Sequence, residues 1–121
     1  MANRFRGETT AILDGRERRI VFDYNALAEM ETTLDCHFVY AFADVNRVGP
    51  REYRAALWAG LRSGGMKNLT LERAGELLGD NRAEAEAAVW AGLAALMSSN
   101  EVAKKGEEKA DPVLTGTSSA A

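Results

Sequence analysis

The chain has 121 residues, a formal net charge of −3 at pH 7 and a pI near 5.2. This balance gives no global positive potential that would attract nucleic acid or an anionic membrane. Its single cysteine, Cys36, excludes an intramolecular disulfide and a paired-cysteine metal motif. Because the sequence shows neither a signal peptide nor an apolar run of membrane-spanning length, we expect a soluble, cytoplasmic, single-domain protein.

A β-hairpin is predicted at the start of the chain. Asp14 and Gly15 separate two short strand-like runs, and Asp-Gly favours a two-residue type I′ turn because both central residues need a positive φ. An isolated hairpin is only marginally stable in water, so one of its faces must be covered. A helix that follows in the sequence is predicted to pack on this face, with Asp23 as its N-cap. Its apolar face is predicted to hold Tyr24, Leu27, Met30 and Leu34.

The next segment, residues 35–45, fits two kinds of secondary structure. As a strand it would place Phe38, Tyr40 and Phe42 on one face, whereas as a helix it would group Phe38, Phe42 and Val45. In either conformation aromatic groups point to more than one side, and we do not expect one small core to bury them all. We therefore predict that Phe38, Tyr40 and Phe42 contribute to a partner-binding surface.

Three further helices are predicted from their end signals. Pro50 suits the first turn of one helix, which Ser63-Gly64-Gly65 ends. Thr70 is a predicted N-cap for a helix over residues 71–78, with Gly79 as its C-terminal stop. Asn81 with Glu84 forms a capping-box pattern for the last helix. From residue 99 the composition turns polar and charged, which predicts a folded domain over residues 1–98 and a flexible polar tail over residues 99–121.

The sequence offers little for catalysis. Cys36 and His37 are adjacent, and neighbouring side chains diverge in both helices and strands, so they make a poor catalytic dyad. No metal-ligand spacing and no phosphate-binding loop is present. We therefore predict no enzyme activity, no catalytic or metal-binding residues and no cofactor.

A DNA-binding helix-turn-helix is the main alternative function from the residues alone. The two helices on either side of Gly79 suggest the motif, and the second would have to enter the major groove. It carries Glu84 and Glu86 against Arg82, and this excess of acidic groups would repel phosphates. We expect no nucleic-acid partner and no membrane partner.

Several motifs, taken in order, resemble one small protein family. They are Asn3-Arg4-Phe5-Arg6-Gly7-Glu8, Leu13-Asp14-Gly15-Arg16, Asn25-Ala26-Leu27-Ala28-Glu29-Met30-Glu31, Leu57-Trp58-Ala59-Gly60-Leu61-Arg62 and Leu69-Thr70. Their order and spacing resemble the tail assembly chaperones of long-tailed phages and gene transfer agents, a likeness that runs from about Asn3 to Leu96. The resemblance favours a helix for the ambiguous segment over residues 35–45.

The resemblance implies a non-enzymatic binding function. A tail assembly chaperone binds the tape measure protein, helps recruit tail tube protein subunits and is lost from the finished tail. The expected fold is α+β, an N-terminal β-hairpin packed against four or five short α-helices with a disordered C-terminal tail. The alternatives are a small helix-turn-helix regulator and a structural component of the tail, and self-association into a homo-oligomer stays open.

Overall fold

A computed structural model describes the backbone of residues 7–110 and side chains through residue 97. Within that part of the chain one antiparallel β-hairpin precedes five α-helices, with a short 3-10 turn at Val45–Arg47. The strands and helices are β1 (Glu8–Leu13), β2 (Arg16–Val21), α1 (Tyr24–Leu34), α2 (Phe38–Ala41), α3 (Pro50–Ser63), α4 (Leu71–Asp80) and α5 (Arg82–Ala110). This is the α+β architecture that the sequence predicts.

The hairpin has the predicted turn. Asp14 and Gly15 have φ angles of 54° and 78°, as a type I′ turn requires, and Leu13 pairs with Arg16 across it. In this register Ala11, Leu13 and Ile20 point to the same face, and all three are buried. The prediction that one face of the hairpin is covered is confirmed for these three residues, whereas Arg16 on the same face is exposed.

Phe22, directly after β2, is the largest fully buried side chain and joins the hairpin to two helices. Its ring fits between Gly60 of α3 and Gly92 of α5. An ideal Cβ at Gly60 would lie 3.2 Å from Phe22 Cε1, and one at Gly92 would lie 2.6 Å from Phe22 Cε2. The absence of side chains at these two positions lets both helices approach the same aromatic ring.

Helix α1 begins as predicted, but its buried face differs. The Asp23 carboxylate accepts a hydrogen bond from Ala26 N at 2.9 Å, which confirms the N-cap. The buried residues are Ala26, Met30 and Leu34, with Leu27 half-buried. The prediction for Tyr24 is wrong: it lies two residues before Ala26, about 200° around a helix of 3.6 residues per turn, and is exposed.

The ambiguous segment forms the short helix α2, as the resemblance favours. Two side chains satisfy N–H groups that its first turn leaves without intrahelical partners. His37 Nδ1 accepts from Val39 N at 3.2 Å, and the Glu31 carboxylate accepts from Phe38 N at 3.0 Å. These bonds fix a helical start that periodicity alone cannot distinguish from a strand.

Helices α3 and α4 begin where the sequence predicts. Pro50 is the first residue of α3, which ends at Ser63 before Gly64, and the Thr70 hydroxyl accepts from Arg73 N at 3.1 Å to cap α4. The predicted stop at Gly79 is wrong, because α4 continues to Asp80. Gly79 does not adopt the positive φ of a glycine cap.

The predicted capping box at Asn81 and Glu84 is also wrong, because the Asn81 side chain bonds elsewhere. Its Oδ1 accepts from Asp14 N and its Nδ2 donates to Asp14 Oδ1, both at 3.0 Å. The same Nδ2 donates to Leu77 O at 2.9 Å. Asn81 therefore ties the hairpin turn to the junction between α4 and α5.

Helix α5 extends past the domain boundary predicted at residue 98, because its backbone is helical through Ala110. Residues 111–121, the rest of the predicted tail, lie outside the described residues. The flexible tail stays a prediction.

Candidate functional site

An apolar groove lies between α2 and α5 and has a volume of about 330 Å³. Trp90, Leu93, Ala94 and Met97 form its α5 side; this spacing of three, four and seven residues places them on one helix face. The opposite side comes from α2 and the two residues after it. The lining residues, here called the α2–α5 groove, are Phe38, Val39, Phe42, Ala43, Trp90, Leu93, Ala94 and Met97.

The floor of the groove is held by aromatic contacts. The Phe42 and Trp90 rings meet edge to face, with 5.6 Å between their centroids. Trp90 Nε1 donates to the Tyr53 hydroxyl of α3 at 2.8 Å. Because the indole N–H already has a partner, this donor does not require a polar group from a ligand. The groove therefore presents an apolar surface.

Two apolar side chains on the sides of the groove remain open to solvent. Val39 is 40% exposed and Met97 is 46% exposed. Among the side chains that the structure describes, through residue 97, no charged one lines the groove. Burying both side chains against another apolar surface would be favourable, since burial contributes about 25 cal/mol per Å² of apolar area. Met97 can also adapt its unbranched side chain to partners of different shape.

The structure places two of the three predicted partner-binding residues in this groove. Phe38 and Phe42 line it, and both also pack against the core. Tyr40 is 78% exposed and lies outside the lining, with its ring 5.7 Å from that of His37. Whether these residues bind a partner stays a prediction.

Sequence reasoning missed the α5 half of the groove. A tryptophan such as Trp90 is by default expected in the core of a small protein, and Met97 lies next to the predicted domain boundary. The signal that could have found them is the apolar spacing from Trp90 to Met97, which starts five residues after Ala85, the first buried residue of the same helix.

A larger concavity of about 610 Å³ lies where α3, α4 and α5 meet, and its character is different. Three arginines line it, namely Arg51, Arg54 and Arg82. Arg82 pairs with Glu86 at 3.0 Å, and Arg51 donates to Leu34 O and pairs with Glu52 at 3.5 Å. Two of the three guanidinium groups are thus already engaged within the chain.

The described residues do not assemble a recognisable reaction centre. Cys36 is exposed, and the His37 ring caps α2 while lying 3.6 Å from the Glu31 carboxylate. Within residues 7–97, no group of three or more histidine, cysteine, aspartate or glutamate side chains is arranged to hold a metal ion. In the same part of the chain, no helix combines the length and apolar character needed to cross a membrane.

The α4–α5 junction also departs from a helix-turn-helix. That motif joins its helices through a turn of three or four residues. Here Asn81 is the one residue between α4 and α5, and its side chain is bonded to the hairpin. The geometry gives no support to the DNA-binding alternative.

Comparison with known proteins identifies the family. Residues 6–99 match the model of the family described as phage tail tube protein, GTA-gp10. No curated protein and no solved structure gives a significant match. The family match supports a tail-related role without specifying a chaperone. Because it spans well over half of the sequence, the chain belongs to the phage tail tube protein family GTA-gp10, and its role lies in the structure or assembly of a phage-type tail.

Proposed function

We propose that this protein is a tail assembly chaperone that binds an apolar helical segment of the tape measure protein in the α2–α5 groove. Through that complex it helps recruit tail tube subunits, and it performs no chemistry. The observation that carries the proposal is the uncharged groove bordered by the exposed side chains of Val39 and Met97. The family match supports the tail context.

The groove fits a helix better than an extended strand. A helix in a groove is recognised through apolar anchors at spacings of three, four and seven residues, and α5 presents its own side chains at that spacing. Ala43 and Ala94 are small, which allows a second helix to approach closely. An extended segment would bring unpaired backbone groups into a groove whose one aromatic N–H donor is already bonded to Tyr53.

The choice of ligand follows from the same features. A charged side chain seated in this groove would lose its hydration without gaining an ion pair, because none of the lining residues is charged. Apolar side chains are therefore the ones that the groove accommodates best. We therefore expect the bound segment of the tape measure protein to be amphipathic, with its apolar face toward the groove.

The test is co-expression with the cognate tape measure protein, using charge substitutions in the groove. Met97→Asp and Val39→Asp should remove the co-eluting complex in gel filtration and lower the soluble yield of the tape measure protein. Ile12→Asp is the matched control, because Ile12 lies on the hairpin and is 48% exposed, against 46% for Met97. Substitutions at exposed positions normally change stability by less than about 0.5 kcal/mol, so all three variants should fold.

The Ile12→Asp control separates loss of binding in the groove from a general effect of adding an exposed charge. If Ile12→Asp abolishes the complex as completely as Met97→Asp, the groove is not the binding site. If the wild-type chain neither raises the soluble yield of the tape measure protein nor forms a complex with it, the chaperone proposal is wrong.

A structural component of the tail is the second candidate, favoured by the words "tail tube protein" in the family description. A chaperone leaves the particle, whereas a structural subunit stays in it. Quantitative mass spectrometry of purified tails separates the two. A stoichiometric amount of this chain in finished particles would support the structural role.

A further inference from the structure

The concavity where α3, α4 and α5 meet, here called the arginine concavity after Arg51, Arg54 and Arg82, lies on the same face of α5 as the α2–α5 groove. Arg82 and Glu86 of α5 line the concavity, and four residues from Trp90 to Met97 line the groove. At about 100° per residue, all six side chains leave the helix within an arc of about 120°. The two sites are therefore successive stretches of one surface, which extends about 22 Å from Arg82 to Met97.

Tyr53 of α3 joins the two sites. It lines the arginine concavity, and its hydroxyl accepts a hydrogen bond at 2.8 Å from Trp90 Nε1 of the groove. The two rings also meet edge to face, with 6.4 Å between their centroids. The surface thus passes from the groove to the concavity through two side chains that contact each other.

The charge of this surface changes along its length. None of the described residues that line the groove is charged, whereas the arginine concavity has three arginines against one glutamate. This positive end lies on a chain whose formal net charge is −3. A segment that complements both sites is apolar at one end and acidic at the other.

Arg54 is the arginine most available to an acidic partner. Among the residues that the structure describes, it makes no hydrogen bond and no ion pair, whereas Arg51 and Arg82 have partners. Its stem lies against α4, because Arg54 Cδ is 3.2 Å from the position of an ideal Cβ at Gly75. The apolar stem therefore packs on a glycine while the guanidinium group stays in water, ready to pair.

We propose that the tape measure helix in the α2–α5 groove continues along α5 into the arginine concavity, where one of its aspartates or glutamates pairs with Arg54. This inference rests on the proposed function of the groove and adds the chemistry of the other end of the ligand. The acidic residue lies about 10–20 residues from the apolar anchors, since a helix rises 1.5 Å per residue. Val48, Pro50 and Leu78 add apolar lining to the concavity, which favours a protein segment over nucleic acid.

Photo-crosslinking from two positions tests the path of the ligand. p-Benzoylphenylalanine replaces either Met97 in the groove or Gly79 in the concavity, where a Cβ would meet no atom within 4 Å. During co-expression with the cognate tape measure protein, both probes should capture one segment, at sites about 10–20 residues apart. Capture from position 97 alone, or capture of a distant segment or another protein from position 79, would overturn the continuation. If position 97 captures nothing, the chaperone proposal fails as well, so the two failures are distinguishable.

Charge reversal tests the ion pair with Arg54. Arg54→Glu should weaken binding of the captured segment, made as a synthetic peptide, by about tenfold, and Arg54→Lys should weaken it less. Arg16→Glu is the matched control, because Arg16 is also exposed and makes no ion pair among the described residues. Added salt should weaken the wild type more than Arg54→Ala, since exposed ion pairs are screened.

Two results would contradict the ion pair. Equal affinities of Arg54→Glu and Arg16→Glu would show that Arg54 does not contact the ligand, even if Met97→Asp abolishes binding in the groove. A co-expressed complex that dissociates on nuclease treatment would assign the arginine concavity to nucleic acid.

Discussion

Substituting Gly92 by alanine should destabilise the fold through the buried ring of Phe22. The new Cβ would lie 2.6 Å from Phe22 Cε2 and 2.7 Å from Cδ2. The ring cannot move far, because it is fully buried and Gly60 of α3 packs against its other side. Either α5 must move away from the hairpin or the ring must leave its favoured rotamer.

Overpacking of this kind costs about 1–3 kcal/mol. Alanine also gains about 0.5–1 kcal/mol over glycine in a helix, which opposes that cost. Gly79→Ala in α4 is the matched control, since a Cβ there meets no atom within 4 Å. The free energies of unfolding of the two variants should therefore differ by about 1–3 kcal/mol, with Gly92→Ala the less stable.

Urea unfolding followed by circular dichroism measures this difference. Two-state analysis gives the free energy of unfolding from the midpoint and the slope. A second substitution, Phe22→Leu, should relieve the clash, so that the double variant is more stable than the sum of the single effects predicts. If Gly92→Ala and Gly79→Ala have the same stability, the packing of Phe22 against α5 described above is incorrect.

Three further predictions concern the hairpin. Gly15→Val should lower the free energy of unfolding by at least about 1 kcal/mol, because a β-branched residue is strained at the φ of 78°; an unchanged melting temperature would contradict the turn. Asn81→Ala should lower the free energy of unfolding by about 1–2 kcal/mol, because it removes both hydrogen bonds to Asp14. Hydrogen exchange of the Asp14 backbone amide should become faster. Arg19→Met should lower the free energy of unfolding by about 1–3 kcal/mol, because the buried Glu8 carboxylate accepts a hydrogen bond from Arg19 at 2.9 Å. Thermal unfolding of Arg19→Lys should show a smaller loss of stability than that of Arg19→Met.

The hairpin and the helix starts could be predicted because their determinants are local. A type I′ turn depends on Asp14 and Gly15 alone, and the caps of α1 and α4 come from Asp23 and Thr70 within three residues of their partners. Pro50 likewise marks the first turn of α3 by its own geometry.

The errors arose where a distant residue decides the outcome. Asn81 has the sequence context of an N-cap, but its carboxamide bonds to Asp14, sixty-seven residues earlier in the chain. Nothing near Asn81 in the sequence announces that partner. The continuation of α4 past Gly79 has a different reason, since a glycine can cap a helix but need not do so.

The groove was predictable only in part for the same reason. Phe38 and Phe42 stand out as surplus aromatics in one segment, but their counterparts Trp90 and Met97 lie on a helix about fifty residues later. The contact between Phe42 and Trp90 that joins the two sides exists only in the folded chain. Tyr40 belongs to the same aromatic segment but is exposed and lies outside the lining, and its part in partner binding stays a prediction.

The measurement that tests the central proposal most directly is photo-crosslinking from Met97 during tail assembly. A benzophenone side chain at position 97 of the full-length protein should capture the tape measure protein, at a segment with apolar residues spaced three and four apart. The same probe at Ile12, which has a nearly equal exposed fraction, should not capture it. If the tape measure protein is captured equally from both positions, or from neither, the α2–α5 groove is not where this protein binds it.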